Sequence, residues 1–141
     1  MKNLVCTFAV MSFILLFGCE ADFLKSPSKR IVGTWRISEV KLFGFGGDKS
    51  SLKFNDGSVN FLEDGSLVYI NSDGTEFTGS WQITREQVED QEKHSLLLTA
   101  VDFNGQKVLT QYYHDVTFFS SNHFKADINF ATKIYVTHFR K

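Results

Sequence analysis

Residues 58–84, "SVNFLEDGSLVYINSDGTEFTGSWQIT", decide the fold. The stretch contains three short runs rich in β-branched and aromatic residues, which favour strands. Asp64-Gly65 and Asp73-Gly74 separate these runs. Both are tight-turn dipeptides, because glycine tolerates positive φ and aspartate tolerates the left-handed region. Strand, turn and strand at this short interval predict consecutive antiparallel hairpins.

Alternation of apolar and polar residues extends this pattern along the chain. In 76–84, Phe77, Trp81 and Ile83 share one face, and polar residues occupy the other. The segment 123–130 alternates in the same way. A period of two places one set of side chains in the core and the other in water, as antiparallel sheets allow.

The folded part is therefore predicted to be all-β, an antiparallel up-and-down meander of eight or nine strands. The same strands could build a sandwich or a closed barrel, and the barrel is preferred because closure removes exposed edges. The charged segment 85–94 is predicted to be a solvated loop. Predicted strands lie near 33–42, 51–54, 58–62, 66–71, 76–84, 95–103, 106–119, 123–130 and 133–140.

The N-terminus has the pattern of a cleaved targeting segment. Lys2 precedes an apolar run from Leu4 to Phe17, followed by Gly18 and Cys19. The run is shorter than the ~20 residues that a membrane-spanning helix needs. The quartet 16–19, Leu-Phe-Gly-Cys, resembles the bacterial lipobox, which implies cleavage before Cys19 and acylation of its thiol, with palmitate among the expected chains.

Cysteine and charge exclude several classes of function. The two cysteines are Cys6, which would leave with the signal, and Cys19, which would carry lipid, so the folded part has no thiol for a disulfide, metal or nucleophile. Removing 1–18 leaves 14 basic and 16 acidic side chains, because Lys2 is the one charged residue removed. That balance offers no general attraction to nucleic acid.

Three regions follow from these patterns. Residues 1–18 are the predicted signal peptide, 19–30 the lipidated N-terminus and a flexible tether, and 31–141 the barrel domain. The expected location is the bacterial cell envelope, with the chain held on a membrane by its lipid. Glu20 and Asp22 loosely resemble the acidic signals that send Bacteroidetes-type lipoproteins to the outer leaflet, but a solvated linker is the preferred interpretation of these residues. The outer membrane is expected, and the leaflet is left open.

Short motifs resemble the lipocalins, and more closely the small lipocalin-like lipoproteins of Bacteroidetes. The folded part opens on Gly33-Thr34-Trp35, repeats Gly-x-Trp at residues 79–81, and ends on a strand with Phe139-Arg140. The resemblance implies a lipocalin-like barrel over 31–141. It also implies that Trp35 plugs the closed end and that the Arg140 guanidinium lies over its ring, a structural pair. The folded part is shorter than a full lipocalin, so its own side chains could fill the interior.

No constellation for catalysis or metal binding is recognisable. The histidines lie far apart in the sequence, at His94, His114, His123 and His138. No Gly-x-Ser-x-Gly elbow or Ser-x-x-Lys element occurs. The prediction is a protein that is not an enzyme and has no cofactor and no metal site.

The aromatic residues leave two functions open. The first is a binding module for a small hydrophobic ligand, with a pocket rimmed by Phe43, Phe45, Tyr69, Tyr112 and Phe118. The second is a ligand-free barrel that contacts other envelope proteins as an inhibitor or assembly component. An open cavity would favour the first function, and a filled interior with exposed aromatics would favour the second.

Overall fold

The computed structural model describes residues 24–46 and 48–141, which form one helix, one 3-10 turn and nine strands. The predicted signal peptide and Cys19 lie outside the described residues. The elements are α1 (Pro27–Ile31), β1 (Gly33–Gly44), a 3-10 turn (Lys49–Ser51), β2 (Ser58–Phe61), β3 (Ser66–Ile70), β4 (Glu76–Val88), β5 (Gln91–Asp102), β6 (Val108–Tyr113), β7 (Asp115–Ser120), β8 (His123–Phe130) and β9 (Lys133–Arg140).

The predicted antiparallel up-and-down meander is confirmed. The nine strands form one sheet in the order β6-β5-β4-β3-β2-β1-β9-β8-β7, and every ladder is antiparallel. We call the end where β1 begins the base and the end where it finishes the mouth. The base carries α1 and the turn at 62–65, and the mouth carries the 45–57 loop and the turn at 71–75.

The hydrogen-bonded sheet is not closed, which corrects the expectation of a fully closed barrel. The edge strands of the sheet are β6 and β7, which follow each other in the chain and are separated by a bend at His114. The sequence had predicted a single strand over 106–119. The bend divides the segment's pairing, because β6 pairs with β5 whereas β7 pairs with β8. At the bend, the His114 amide donates to the Asp127 carbonyl oxygen across 2.7 Å. β5 also approaches β7, and β6 approaches β8, so the gap is narrow.

The core fills the concave side of this sheet. Alternate residues of the strands point inward, and the largest side chains without exposed surface are Trp35, Tyr69, Tyr113, Phe54, Phe61, Phe77, Phe124 and Phe139. The rings of Phe124 and Phe139 stack with centroids 4.4 Å apart and planes inclined by 8°. Such contacts add about 1 kcal/mol to the burial of each pair. One apolar cluster therefore runs from base to mouth.

The charged segment 85–94 is not a loop, contrary to the prediction. Strands β4 and β5 continue as a two-stranded ribbon, in which Gln87 pairs with Glu92 and Arg85 forms an ion pair with Glu92. The ribbon turns on Glu89 and Asp90, with φ of 48° and 62°. Two consecutive residues at positive φ match the twist of a hairpin. The pair contains no glycine, so its turn signal was weak.

Part of the predicted tether is also ordered. Residues 27–31 form helix α1, with Pro27 in its first turn, where its fixed φ suits a helix and no donor is lost. Ile31 at the end of α1 has no exposed surface and belongs to the core. Burial of this one side chain docks the short helix on the base.

Candidate functional site

Trp35 fills the base of the concave side of the sheet. Its side chain has no exposed surface, and its ring meets Phe124 edge to face with centroids 4.7 Å apart. The indole Nε1 donates a hydrogen bond of 2.6 Å to the Ile31 carbonyl oxygen. Since that carbonyl lies at the end of α1, the bond fastens the helix to the first strand.

The cation over the Trp35 ring is Lys141, not Arg140 as the resemblance implied. The Lys141 Nζ lies 4.5 Å from the ring centroid and donates to the Val32 carbonyl oxygen at 3.3 Å. Arg140 is exposed, because alternation along β9 turns Phe139 inward and the next side chain outward. Lys141 follows the strand and is free of that alternation, so it can fold back beneath the indole.

Phe118 also belongs to the base and not to a pocket rim. The Arg30 guanidinium carbon lies 4.5 Å from the centroid of the Phe118 ring, and that ring lies 5.2 Å from Phe124. A guanidinium over an aromatic face is attracted by the ring quadrupole. Helix α1 therefore covers the base with one buried apolar side chain and one stacked cation.

The loop between β1 and β2 fills the mouth. Leu52 is 4% exposed and Phe54 is 0% exposed, although both belong to the loop. The Phe54 ring lies 4.8 Å from that of Tyr69, which points inward from β3. Residues 51–54 were predicted as a strand. Their alternating burial fits that pattern, but they lie in the loop and insert Leu52 and Phe54 into the mouth of the sheet.

A hydrogen-bond network holds this loop in place. The Tyr69 hydroxyl donates to Asp56 Oδ1 at 3.2 Å, and the Ser72 amide donates to the same oxygen at 3.1 Å. Burial and the neighbouring Asp56 carboxylate raise the pKa of Tyr69 well above its usual range. Tyr69 is therefore a neutral donor inside the mouth, where it also lines a cleft of about 260 Å³ with Leu52, Phe77 and Leu109.

The five aromatic residues predicted to rim a pocket do not line one site. Tyr69 and Phe118 are packed at opposite ends of the interior, as described above. Tyr112 lies on the outer surface, where its hydroxyl donates to Glu86 Oε1 at 2.9 Å. Phe43 and Phe45 remain on the outside of the mouth.

Exposed apolar side chains gather around the mouth, and we call Phe43, Phe45, Phe130 and Ile134 the rim patch. Phe43 and Ile134 are direct cross-strand neighbours on β1 and β9. Phe130 ends β8, one hairpin turn from β9, and Phe45 follows the last residue of β1 with 94% of its surface exposed. Phe103, in the β5–β6 turn at the same end, is 99% exposed. Of these, sequence reasoning selected Phe43 and Phe45, and it missed the others because register across β9 was not visible.

Several clefts mark the outside of the molecule, and two of them border the C-terminal residue Lys141. The larger, of about 690 Å³, lies between α1 and the sheet and is lined by Lys25, Ser28, Lys29, Arg30, Val32, Glu63, Trp81 and Lys141. The second, of about 400 Å³, crosses the outer face of β9, β1, β2 and β3. Its lining residues are Thr34, Arg36, Ile37, Gly57, Ser58, Ile70, Asn71, Arg140 and Lys141.

Two of the four histidines meet on the outer face. His123 Nε2 and His138 Nδ1 are 3.1 Å apart, and the rings stack at 5.4 Å. Burial lowers the pKa of both, and the nearby Arg140 cation lowers the pKa of each further. Within residues 24–46 and 48–141, no group of three or more His, Cys, Asp or Glu side chains could hold a metal ion.

Comparisons with known proteins provide no further constraint. No protein-family model matches the chain, and neither the curated proteins nor the solved structures gave a significant match. Among the helices of the described part of the chain, none is long and apolar enough to cross a membrane.

Proposed function

We propose that the protein is a lipoprotein of the cell envelope, anchored through Cys19, whose lipocalin-like barrel binds another envelope protein through its rim patch. The observation that carries the proposal is the difference in burial between two sets of apolar side chains at the mouth. Leu52 and Phe54 fill the interior there, whereas Phe43, Phe45, Phe130 and Ile134 stay in water. Exposed apolar side chains gathered at one end of a folded protein are typical of an interaction site.

The filled interior supports contact with a protein over capture of a small hydrophobic ligand. A ligand-binding barrel needs a cavity of several hundred Å³ that encloses most of its ligand. Here side chains of the protein occupy the axis from Trp35 at the base to Phe54 at the mouth. A ligand would have to displace Leu52 and Phe54 together, at a cost of about 2–3 kcal/mol for each side chain.

The position of the rim patch supports a partner beyond the membrane surface. The anchor would be attached a few residues before α1, and α1 lies at the base. β1 runs 12 residues from the base to the mouth. At about 3.4 Å a residue, the strand is about 40 Å long and carries Phe43 and Phe45 away from the tether.

Site-specific photo-crosslinking in the host tests the proposal. Phe45 is replaced by a benzoyl-phenylalanine in the full chain, and Phe119, 56% exposed at the base, receives the same replacement as the control. We expect a discrete protein adduct from position 45 and none of the same mass from position 119. Equal labelling from both positions, or labelling of lipid alone from position 45, would refute contact through the rim.

The anchor has its own test, with a matched control in the chain. Cys19→Ser should abolish labelling by an alkyne palmitate analogue and release the protein from the membrane fraction. Cys6→Ser lies within the predicted signal and should change neither result. Retention of label in Cys19→Ser would contradict the proposed anchor and leave the crosslinking test of the rim unaffected.

A further inference from the structure

The outer face near the base contains two neighbouring arginines that the proposed function does not use. In the ladder register, His123 on β8 is opposite Arg140 on β9, and Arg140 is opposite Arg36 on β1. Arg36 is in turn opposite Ser58 on β2. Residues opposite each other in adjacent strands share a face, with Cβ atoms about 5 Å apart. Two guanidinium groups therefore project side by side from the same patch of the sheet.

These two arginines have no acidic partner in the described part of the chain. No carboxylate of residues 24–46 and 48–141 lies within 4.0 Å of the Arg36 or Arg140 guanidinium. Like charges directly opposite in a sheet are destabilising. By contrast, Lys125 on the same face is paired with Asp127 at 2.8 Å.

The surface around the arginines combines cationic and hydroxyl side chains with the apolar side chains of Ile37 and Ile70. The 400 Å³ cleft they border is also lined by Lys141, by the hydroxyl residues Thr34 and Ser58, and by Asn71, and no Asp or Glu lines it. Guanidinium groups bind the oxygens of phosphate in a bidentate way, and hydroxyl and ammonium groups add further donors. A carboxylate ligand would contact the donors on one side of this group, whereas a tetrahedral phosphate presents oxygens to both arginines and to the hydroxyls.

We propose that Arg36 and Arg140 form a binding site for a phosphate group on the outer face of the sheet. Bound phosphate neutralises the cross-strand repulsion between the two guanidinium groups and accepts hydrogen bonds from both. The phosphate could belong to a soluble phosphate ester or to a lipid head group, since the two arginines lie near the base. This phosphate site does not depend on the rim patch. It also gives a role to Arg140, which is exposed and is not the cation over the Trp35 ring.

Thermal unfolding of the full chain in detergent at pH 7 tests the site, with inorganic phosphate as the probe. A site with a Kd of about 1 mM, filled by ~50 mM phosphate, should raise the melting temperature by about 9 °C beyond sodium chloride of equal ionic strength. Arg140→Gln should reduce that difference to about 1 °C or less. In sodium chloride, the melting temperature of Arg140→Gln should be no lower than that of the unsubstituted protein, because the substitution removes one of two like charges that face each other.

Lys49→Gln is the control, since it removes one exposed cation at the mouth and should keep the full phosphate effect. Glycerophosphoglycerol, the acyl-free head group of phosphatidylglycerol, replaces phosphate in a second series. A larger rise with this diester assigns the site to a lipid head group, and a larger rise with phosphate assigns it to a soluble ester. A phosphate effect no greater than that of chloride, or one that survives Arg140→Gln, would overturn the proposal.

Discussion

Replacing Trp35 by alanine should remove the closure of the base and cost a large part of the stability of the domain. The substitution deletes a fully buried indole, which typically costs 3–5 kcal/mol. It also leaves the Ile31 carbonyl without its 2.6 Å hydrogen bond and removes the ring that the Lys141 ammonium group contacts. Those losses add about 1 kcal/mol or more, so we expect the free energy of unfolding to fall by about 4–6 kcal/mol.

Urea unfolding followed by far-ultraviolet circular dichroism measures this loss without relying on tryptophan fluorescence. For a slope of about 2 kcal/mol per molar urea, the midpoint should fall by about 2–3 M. Trp81→Ala is the matched control, because Trp81 is half-buried and its indole donates only to Leu62 at 3.0 Å. We expect that variant to lose about 1–2 kcal/mol. Equal losses for the two tryptophans would refute the assignment of Trp35 as the plug.

Three further variants test the mouth, the histidine pair and the strand register. Phe54→Ala should lower the free energy of unfolding by about 3–4 kcal/mol and increase the fluorescence of an added apolar dye, whereas Phe45→Ala should do neither, because Phe45 is exposed. Both paired histidines have a pKa below the unfolded value of 6.5, so the unfolded chain binds more protons and stability falls as pH drops through that value. His138→Gln should therefore lose less stability between pH 7 and pH 5 in urea unfolding, and an unchanged pH dependence would contradict the role of the pair. Gly57 has φ of 73°, and a Cβ there would lie 2.0 Å from a β3 carbonyl oxygen, whereas Gly74 has φ of 86° and open space around it. Gly57→Ala should therefore have a melting temperature well below that of Gly74→Ala. Equal melting temperatures would contradict this packing.

Local signals in the sequence were sufficient for the order of the strands. Asx-Gly dipeptides and period-two alternation act over a few residues, so the hairpins from β2 to β4 were predictable. The bend at His114 was not, because it depends on which neighbour each half of the 106–119 segment pairs with. The ribbon at 85–94 was missed for a related reason. Its strands carry charged side chains on both faces, so they are held by cross-strand pairing and not by the burial of apolar side chains.

The base was partly predictable and the mouth was not. Gly-x-Trp at residues 33–35 identified the buried indole, but the cation beneath it came from Lys141, whose position after the last strand is not governed by alternation. Leu52 and Phe54 had the alternation of a strand, and only the packed structure shows that they fill the mouth. The pairing of Arg36 with Arg140 requires a register between residues 104 positions apart, which no local pattern carries.

Native mass spectrometry of the protein, purified gently from its host, tests most directly whether the domain works without an enclosed ligand. The native and denatured masses of the acylated chain are compared on the same preparation. If Leu52 and Phe54 fill the mouth as described, the two masses agree. A one-to-one small-molecule adduct that is present in the native spectrum and lost on denaturation would contradict the account.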